Sequence, residues 1–231
     1  MKIPILSYHS VSDVNCPLSL KINQFENQLK YFKKNGFQSV FVDEINKSKN
    51  KQFIITFDDG YKDLISNSLP ILKKYNFKAT CFVVSNLIGK TNSWDEDDKN
   101  IKKKKLMNRT DIALWIKNGM KIGSHSKNHK NLKNLSYEAM LKEITESKLY
   151  LENLFENSVD SFCYPYGSFN EKIVTEVKKK YKFAFTTKRS RYDESIHNKY
   201  LLPRIDMGKK ISNFKMYLKL NTPYEDFKYG K

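Results

Sequence analysis

Two spacings of apolar residues alternate along this chain of 231 residues. One is the short run: residues 3–8, 53–57, 79–84, 120–123, 162–164, 183–186 and 200–205 are mostly apolar and bounded by polar or glycine-bearing stretches. Runs of that length predict buried strands. The other spacing is helical. Phe25, Leu29, Tyr31, Phe32 and Phe37 fit a helix that stops at Gly36, a C-cap glycine. Residues 61–75 are helical with an interruption at Pro70, which opens a second piece. Residues 109–118 predict a helix capped by Thr110 and stopped by Gly119. Leu141, Ile144, Leu151, Leu154 and Phe155 recur at helical spacing after an N-cap at Ser136. Residues 171–181 and 211–220 complete the helices.

Strands that alternate with helices predict an α/β fold with a parallel sheet or barrel. Neither a repeat nor a Pro/Gly/Ser linker interrupts the pattern, so residues 1–231 are expected to form one domain. The least patterned stretch, 90–105, carries Asp95-Glu96-Asp97-Asp98 and then a lysine run, and is read as a surface loop. Active sites of such folds gather at the C-terminal strand ends. Four groups stand there: His9, Asp58-Asp59, His125, and Tyr164-Pro165-Tyr166-Gly167.

Composition narrows the class. Hydrophobic residues make up 39% and aromatics 13%, enough for a real core, and no segment reaches the ~18 apolar residues of a membrane span. The apolar start breaks at His9, too early for a signal-peptide core, so a cytoplasmic location is expected. Cys16, Cys81 and Cys163 are odd in number and far apart, which is no disulfide framework; Cys81 and Cys163 read as core residues. The net charge of +17 allows an anionic partner: nucleic acid, a phosphate-bearing glycan precursor or an acidic membrane surface touched peripherally. No nucleic-acid motif accompanies it. Solvated lysine-rich faces are the simpler explanation.

Adjacent carboxylates at the end of an apolar strand are costly, because burial and mutual repulsion both disfavour ionisation. A bound dication removes the difficulty. The plainer alternative is an Asp-Asp-Gly turn with one Asp as helix cap. His125 and His129, at i and i+4, can face one point and suit a transition metal, unless they are solvated loop histidines. Together, one carboxylate and two histidines make a three-ligand site with open positions, and leave the other carboxylate as a base.

Thr56-Phe57-Asp58-Asp59-Gly60, His125-Ser126-x-x-His129 and Phe162-Cys163-Tyr164-Pro165-Tyr166-Gly167 resemble, in order and spacing, the three motifs of the polysaccharide deacetylases, the NodB-homology family. The likeness runs over roughly residues 3 to 205. It implies a distorted (β/α) barrel of about seven strands, with Asp58 as base and Asp59, His125 and His129 as metal ligands. It also implies the Tyr166 N–H as oxyanion donor, and Tyr164, Pro165 and Gly167 along the substrate. The metal would be zinc, with cobalt, nickel or iron able to replace it. The reaction would be removal of the N-acetyl group from an amino sugar in a glycan or its precursor. Deformylation, another amide cleavage, or an inactive carbohydrate-binding relative are the alternatives.

Two departures stand out. Ser161 occupies the place of the arginine that steadies the base; Arg204 is the candidate replacement, with a surface arginine as the alternative. The late Leu-x-x-His that supplies the general acid is absent, and the context of His197 does not fit. His9, in Tyr8-His9-Ser10-Val11, is the candidate acid, resembling a biofilm-glycan deacetylase subgroup; a structural histidine is the alternative. Trp94 is the candidate for stacking on a sugar ring, and Trp115 reads as core.

Overall fold

The computed structural model describes residues 2–46, 49, 51–208 and 211–229. The strands are β1 (Ile5–Tyr8), β2 (Ser10–Val11), β3 (Ser19–Leu20), β4 (Gln38–Ser39), β5 (Gln52–Phe57), β6 (Thr80–Val83), β7 (Lys121–Ser124), β8 (Ser161–Cys163), β9 (Phe183–Phe185) and β10 (Ile205–Asp206). The α-helices are α1 (Ile22–Lys34), α2 (Leu69–Tyr75), α3 (Arg109–Lys117), α4 (Tyr137–Phe155), α5 (Glu171–Lys180), α6 (Asn213–Asn221) and α7 (Tyr224–Tyr229). Seven parallel strands run in the order β10-β1-β5-β6-β7-β8-β9, with β4 beside β5. The sheet curls into a distorted (β/α) barrel, as the strand–helix alternation predicts.

The two faces of the sheet carry separate apolar cores. Leu6, Tyr8, Phe53, Ile55, Phe57 and Phe162 pack outward against the helices. Ile5, Ile54, Phe82, Cys163, Phe185 and Leu202 fill the lumen. Side chains alternate along a strand, so this parity extends beyond the strand ends. Counting by twos from Ile5 reaches His9, from Ile54 reaches Asp58, and from Leu202 reaches Arg204. The chemical residues thus inherit the lumen side. Close packing there needs glycine at one point: a Cβ on Gly123 would meet the Phe82 ring at 2.5 Å.

Several elements differ from their predicted form. Thr110 is not the cap of α3. The Asn108 side chain accepts from the Asp111 N–H at 2.9 Å, and the Asp111 carboxylate accepts from the Asn108 N–H at 3.0 Å, a reciprocal box two residues upstream. The helix around Pro70 opens with a π-turn, Leu64–Ser68, because proline has no N–H to continue an α ladder. The predicted strand 200–205 is split. Its Leu202 bonds to β9, the N–H donating to the Ala184 carbonyl at 2.9 Å, whereas Ile205 pairs with Leu6 of β1. Pro203, which cannot donate, sits at the crossover. This one segment links the two ends of the curled sheet. The short strands β2, β3 and β4, and helix α7, had no visible period in the sequence. Trp115 is fully buried, its indole N–H donating to the Lys121 carbonyl at 3.0 Å. The three cysteines are free and buried. Among the described residues no helix is long and apolar enough to cross a membrane.

Candidate active site

β5 delivers two carboxylates to the C-terminal mouth, and the backbone sends them in different directions. Asp58 continues the extended chain, its N–H donating to the Tyr8 carbonyl at 2.9 Å. Asp59 turns left-handed, with φ of 71°. That reversal separates their partners. Asp58 meets Arg204 in a two-pronged pair, Nη1 to Oδ1 and Nη2 to Oδ2, each at 2.7 Å. Arg204 is itself buried, and Nε donates to the Thr186 carbonyl at 2.9 Å while Nη1 also reaches Thr56 Oγ1 at 3.1 Å. Asp59 Oδ1 lies 3.4 Å from Nε2 of His125 and 3.4 Å from Nε2 of His129.

β7 ends at Ser124 and presents His125 directly. The ring Nδ1 lies 2.8 Å from the Cys163 carbonyl, which can only accept; Nδ1 therefore carries the proton, and the Nε2 lone pair points at Asp59. A left-handed Ser126 (φ 63°) and His129 (φ 58°) fold the loop back so that His129 reaches the same point. Four of the seven described non-glycine residues with positive φ, counting Asp59 and Tyr166, sit around this mouth. Backbone strain is concentrated where the chemistry is.

Electrostatics explain why such a cluster calls for a cation. Burial, aided by the Asp58 charge, pushes the Asp59 carboxyl well up. Burial pulls His125 down to about 4 and His129 well below its ordinary value. Asp58 goes the other way. Its burial would raise it, but the charge and hydrogen bonds of Arg204, with His125 and His9, outweigh this and hold it well below the carboxylate range. One site thus holds an ionised carboxylate beside three groups that burial disfavours as ions. The Asp59, His125 and His129 ligand atoms lie within 4.8 Å of one another. Two imidazole lone pairs and a carboxylate oxygen around one point fit a divalent transition ion. His129 Nδ1 has no partner among the described residues.

The remaining predicted residues surround this cluster. His9 Nε2 is 3.9 Å from Asp58 Oδ2, and its side chain is one-third exposed, at 33%. Burial lowers His9 below its ordinary value, against the opposing pull of Asp58. Trp94 stacks on the His129 ring at 4.4 Å, so one indole face is already covered. Tyr166 meets His129 edge-on from another side at 4.7 Å, with its own side chain half exposed. The N–H groups of Gly167 and Ser168 bond to the carbonyls of Tyr164 and Pro165, and among the described residues no such bond is found for the Tyr166 N–H. Tyr164 and Pro165 are buried, the Tyr164 hydroxyl donating to the Tyr200 carbonyl at 3.0 Å. Gly167 permits a close approach: a Cβ there would fall 1.9 Å from Thr187 Oγ1. A cavity of about 180 Å³ opens onto His9, Asp58, Asp59, His125, His129 and Tyr166. It adjoins an outer cleft of about 470 Å³ that shares Trp94, His129 and Tyr166.

Sequence reasoning missed part of this wall. The 90–105 stretch is not only a surface loop, because Trp94, Asp95 and Ile101 line the cavity. Leu18 and Thr187 line it too. Cys163 lies against Asp58 and its arginine partner, its thiol 3.7 Å from Asp58 Oδ1 and 3.2 Å from Arg204 Nη2. Only its lumen parity signalled that position. His197, outside the cavity lining, caps a local turn and accepts from the Asp193 N–H at 2.9 Å.

A curled parallel sheet with an Asp-His-His cluster and a second, arginine-paired carboxylate at its mouth is the NodB-type architecture. The family model described as polysaccharide deacetylase matches residues 45–184, and the chain belongs to that family. YxkH of Bacillus subtilis is 31% identical over 194 residues, covering 80% of this chain and 64% of that protein. The poly-β-1,6-N-acetyl-D-glucosamine N-deacetylase of Staphylococcus aureus strain N315 is 29% identical over 197 residues, 81% of this chain and 67% of that one. The chain thus spans about two thirds of the length of these curated relatives. The solved polysaccharide deacetylase of Bacillus cereus superposes with a TM-score of 0.80 at 25% identity, covering 95% of this chain and 69% of its own. The Streptococcus pyogenes deacetylase PplD shares the fold, with a TM-score of 0.83 at 24% identity over 96% and 99% of the two chains.

Proposed function

We propose that this chain is a metal-dependent N-deacetylase that hydrolyses the acetamide of an N-acetylated amino sugar within a glycan. The observation that carries the reading is the convergence of Asp59 Oδ1 with both histidine Nε2 atoms at 3.4 Å, beside an Asp58 held ionised by Arg204. Zinc is the default ion for two imidazoles and a carboxylate. A divalent ion held there supplies Lewis-acid chemistry, acidifying a water and polarising a carbonyl.

Asp58, ionised at any working pH, accepts the proton of the attacking water. Arg204 fixes both carboxylate oxygens, so the base cannot rotate away. The Tyr166 N–H lies free to donate to the oxygen that gains charge as the carbonyl carbon becomes tetrahedral. His9, on the other side of Asp58, protonates the departing nitrogen as the C–N bond breaks. Acetate and a free amine result: water supplies the oxygen of the acetate and the proton gained by the nitrogen, and its second proton leaves to solvent. The outer cleft with the exposed face of Trp94 supports a sugar chain, and the Staphylococcus aureus relative supports β-1,6-linked N-acetylglucosamine as the first polymer to try. The charge of +17 supports a phosphate-bearing substrate or an anionic surface nearby.

Elemental analysis of chelator-free protein, paired with acetate release from that polymer, tests the reading. The expected result is one transition ion per chain and acetate production; Asp58→Asn keeps the ion and loses turnover, and His125→Ala loses both. Absence of ion after zinc or cobalt addition would leave a carbohydrate-binding module, and formate in place of acetate would make it a deformylase.

A further inference from the structure

The loop that carries the two histidines is held by none of the regular ladders. Each N–H from 126 to 129 is satisfied by a side chain. Ser126 donates to Ser124 Oγ at 3.2 Å, and His129 donates to Ser126 Oγ at 3.1 Å. The two between them, on Lys127 and Asn128, both donate to Oε2 of Glu143, at 3.0 and 2.8 Å. The other oxygen, Oε1, accepts from Asn128 Nδ2 at 2.6 Å. Glu143 sits on α4 and is only 4% exposed. A carboxylate that deep in a helix face is uncommon unless its charge is satisfied. Among the described residues no ion pair to Glu143 is found; the Lys127 ammonium goes to Glu146 instead, at 2.5 Å. Backbone amides therefore satisfy the carboxylate, and it satisfies them.

The consequence concerns the two left-handed residues at either end of that span, Ser126 and His129. L-residues hold that conformation only where the surroundings over-determine it. The loop carbonyls are tied from β6's side, where Ser85 and Asn86 donate to Ser126 and Lys127 at 3.2 and 2.9 Å. Glu143 supplies the opposing tie, on the amides. We infer that Glu143 is a positioning residue for the ion: it clamps the turn between His125 and His129 and so sets the separation of their Nε2 atoms around Asp59. This rests on the metal reading above. It goes beyond that reading by assigning the pre-organisation of the site to a carboxylate that touches neither the ion nor the substrate.

Calorimetric titration of zinc or cobalt into metal-free wild type, Glu143→Gln and Glu146→Gln tests the assignment. Glutamine presents one N–H₂ where three donors converge, so at least one donor faces a donor whichever way the amide turns. The expected result is an ion affinity about 10–100-fold weaker for Glu143→Gln, the usual effect of removing a group that orients a ligand. Glu146→Gln, which removes a charge three residues away without touching the loop amides, should bind as wild type does. Unchanged affinity in Glu143→Gln, even with a lowered melting temperature, would make the residue merely structural and overturn the assignment. Equal weakening in both variants would overturn it too, since net charge would then be the cause. Should Glu143→Gln not fold, Asn128→Ala, which deletes the Oε1 contact together with the bond that Asn128 Oδ1 accepts from Asn86 Nδ2 at 2.7 Å, carries the same titration beside Asn86→Ala, which deletes the second bond alone; affinity no weaker in Asn128→Ala than in Asn86→Ala has the same meaning. A wild type that binds no ion would instead sink the metal reading itself.

Discussion

Asp58 and Arg204 stand 146 residues apart in the chain and meet in the barrel lumen as a two-pronged ion pair, with both N–O distances at 2.7 Å. Neither side chain is more than 5% exposed. A planar fork against a carboxylate fixes orientation as well as charge. Asp58 is thereby kept ionised and held in one orientation, while its neighbour Asp59, one residue on, faces away toward the histidines.

Breaking that pair should be costly in both senses. Arg204→Ala leaves a buried carboxylate without its counter-charge, and a loss of about 3–5 kcal/mol in stability is expected. Arg204→Lys keeps the charge but not the fork. It should fold better than the alanine variant and still turn over more slowly than wild type. Denaturant melts and acetate-release kinetics on the two variants measure the split; equal activity of Arg204→Lys and wild type would show that charge alone suffices.

His9 is assigned the proton that the leaving amine needs. His9→Ala should lower kcat by roughly 10²–10⁴ with the ion retained. His9→Gln, which keeps a hydrogen-bonding group but cannot deliver a proton, should be as slow. An unchanged rate in either variant would remove His9 from the mechanism.

Lys104 joins the two walls of the mouth. Its ammonium pairs with Asp63 at 2.6 Å and donates to Ser10, to Ser12 at 2.8 Å and to Ser19 at 3.2 Å. Ser10 follows His9, and Lys104 ends the loop that carries Trp94. Lys104→Met should strand the Asp63 charge, destabilise the fold by about 2–3 kcal/mol and speed amide exchange in both residues 10–20 and 90–105. Hydrogen-exchange mass spectrometry reads the two segments separately; faster exchange in one alone would mean that they are not coupled through this residue.

Asp226 gives the fold an acid-sensitive tie. It accepts from Lys2 at 2.8 Å, and from the Arg191 backbone and guanidinium at 3.0 Å each, and so fastens α7 to the N-terminal segment. Burial pushes this carboxyl up, but the bonds from Lys2 and Arg191 outweigh it and leave it below its ordinary value. A depressed folded pKa contributes stability above the unfolded value of about 3.9, lost as pH falls through the folded one. Asp226→Asn should therefore cost about 1 kcal/mol at pH 7. Urea melts from pH 7 to pH 3 should show the gap between variant and wild type closing on the acid side, and a gap independent of pH would refute the linkage.

How much of this was legible beforehand follows from the range of each interaction. The short apolar runs of β1 and β5 and the alternation of strands with helices are local patterns, and they carried the barrel. The motif residues sit at strand ends, so their convergence followed from topology alone. The cap of α3 was misplaced because Thr110 and Asn108 are both plausible caps and only the reciprocal bond with Asp111 decides. The run 200–205 read as one strand because pairing partners are not written in a strand's own composition. Ser161 stands where the family pattern has an arginine; its place at a late strand end made Arg204 the candidate replacement, with a surface arginine as the alternative, and only the closed barrel shows it buried against Asp58.

The chain by itself determined the fold class and the four strand ends on which the carboxylates and histidines stand, because burial periodicity and strand order are properties of neighbouring residues. Tertiary structure alone decided which carboxylate meets Arg204 and which meets the histidines. That choice rests on the left-handed turn at Asp59 and on a lumen contact closed across 146 residues. It also decided that the 90–105 loop walls the cavity and that Glu143 holds the histidine turn, since long-range hydrogen bonds depend on how the barrel closes and not on sequence spacing.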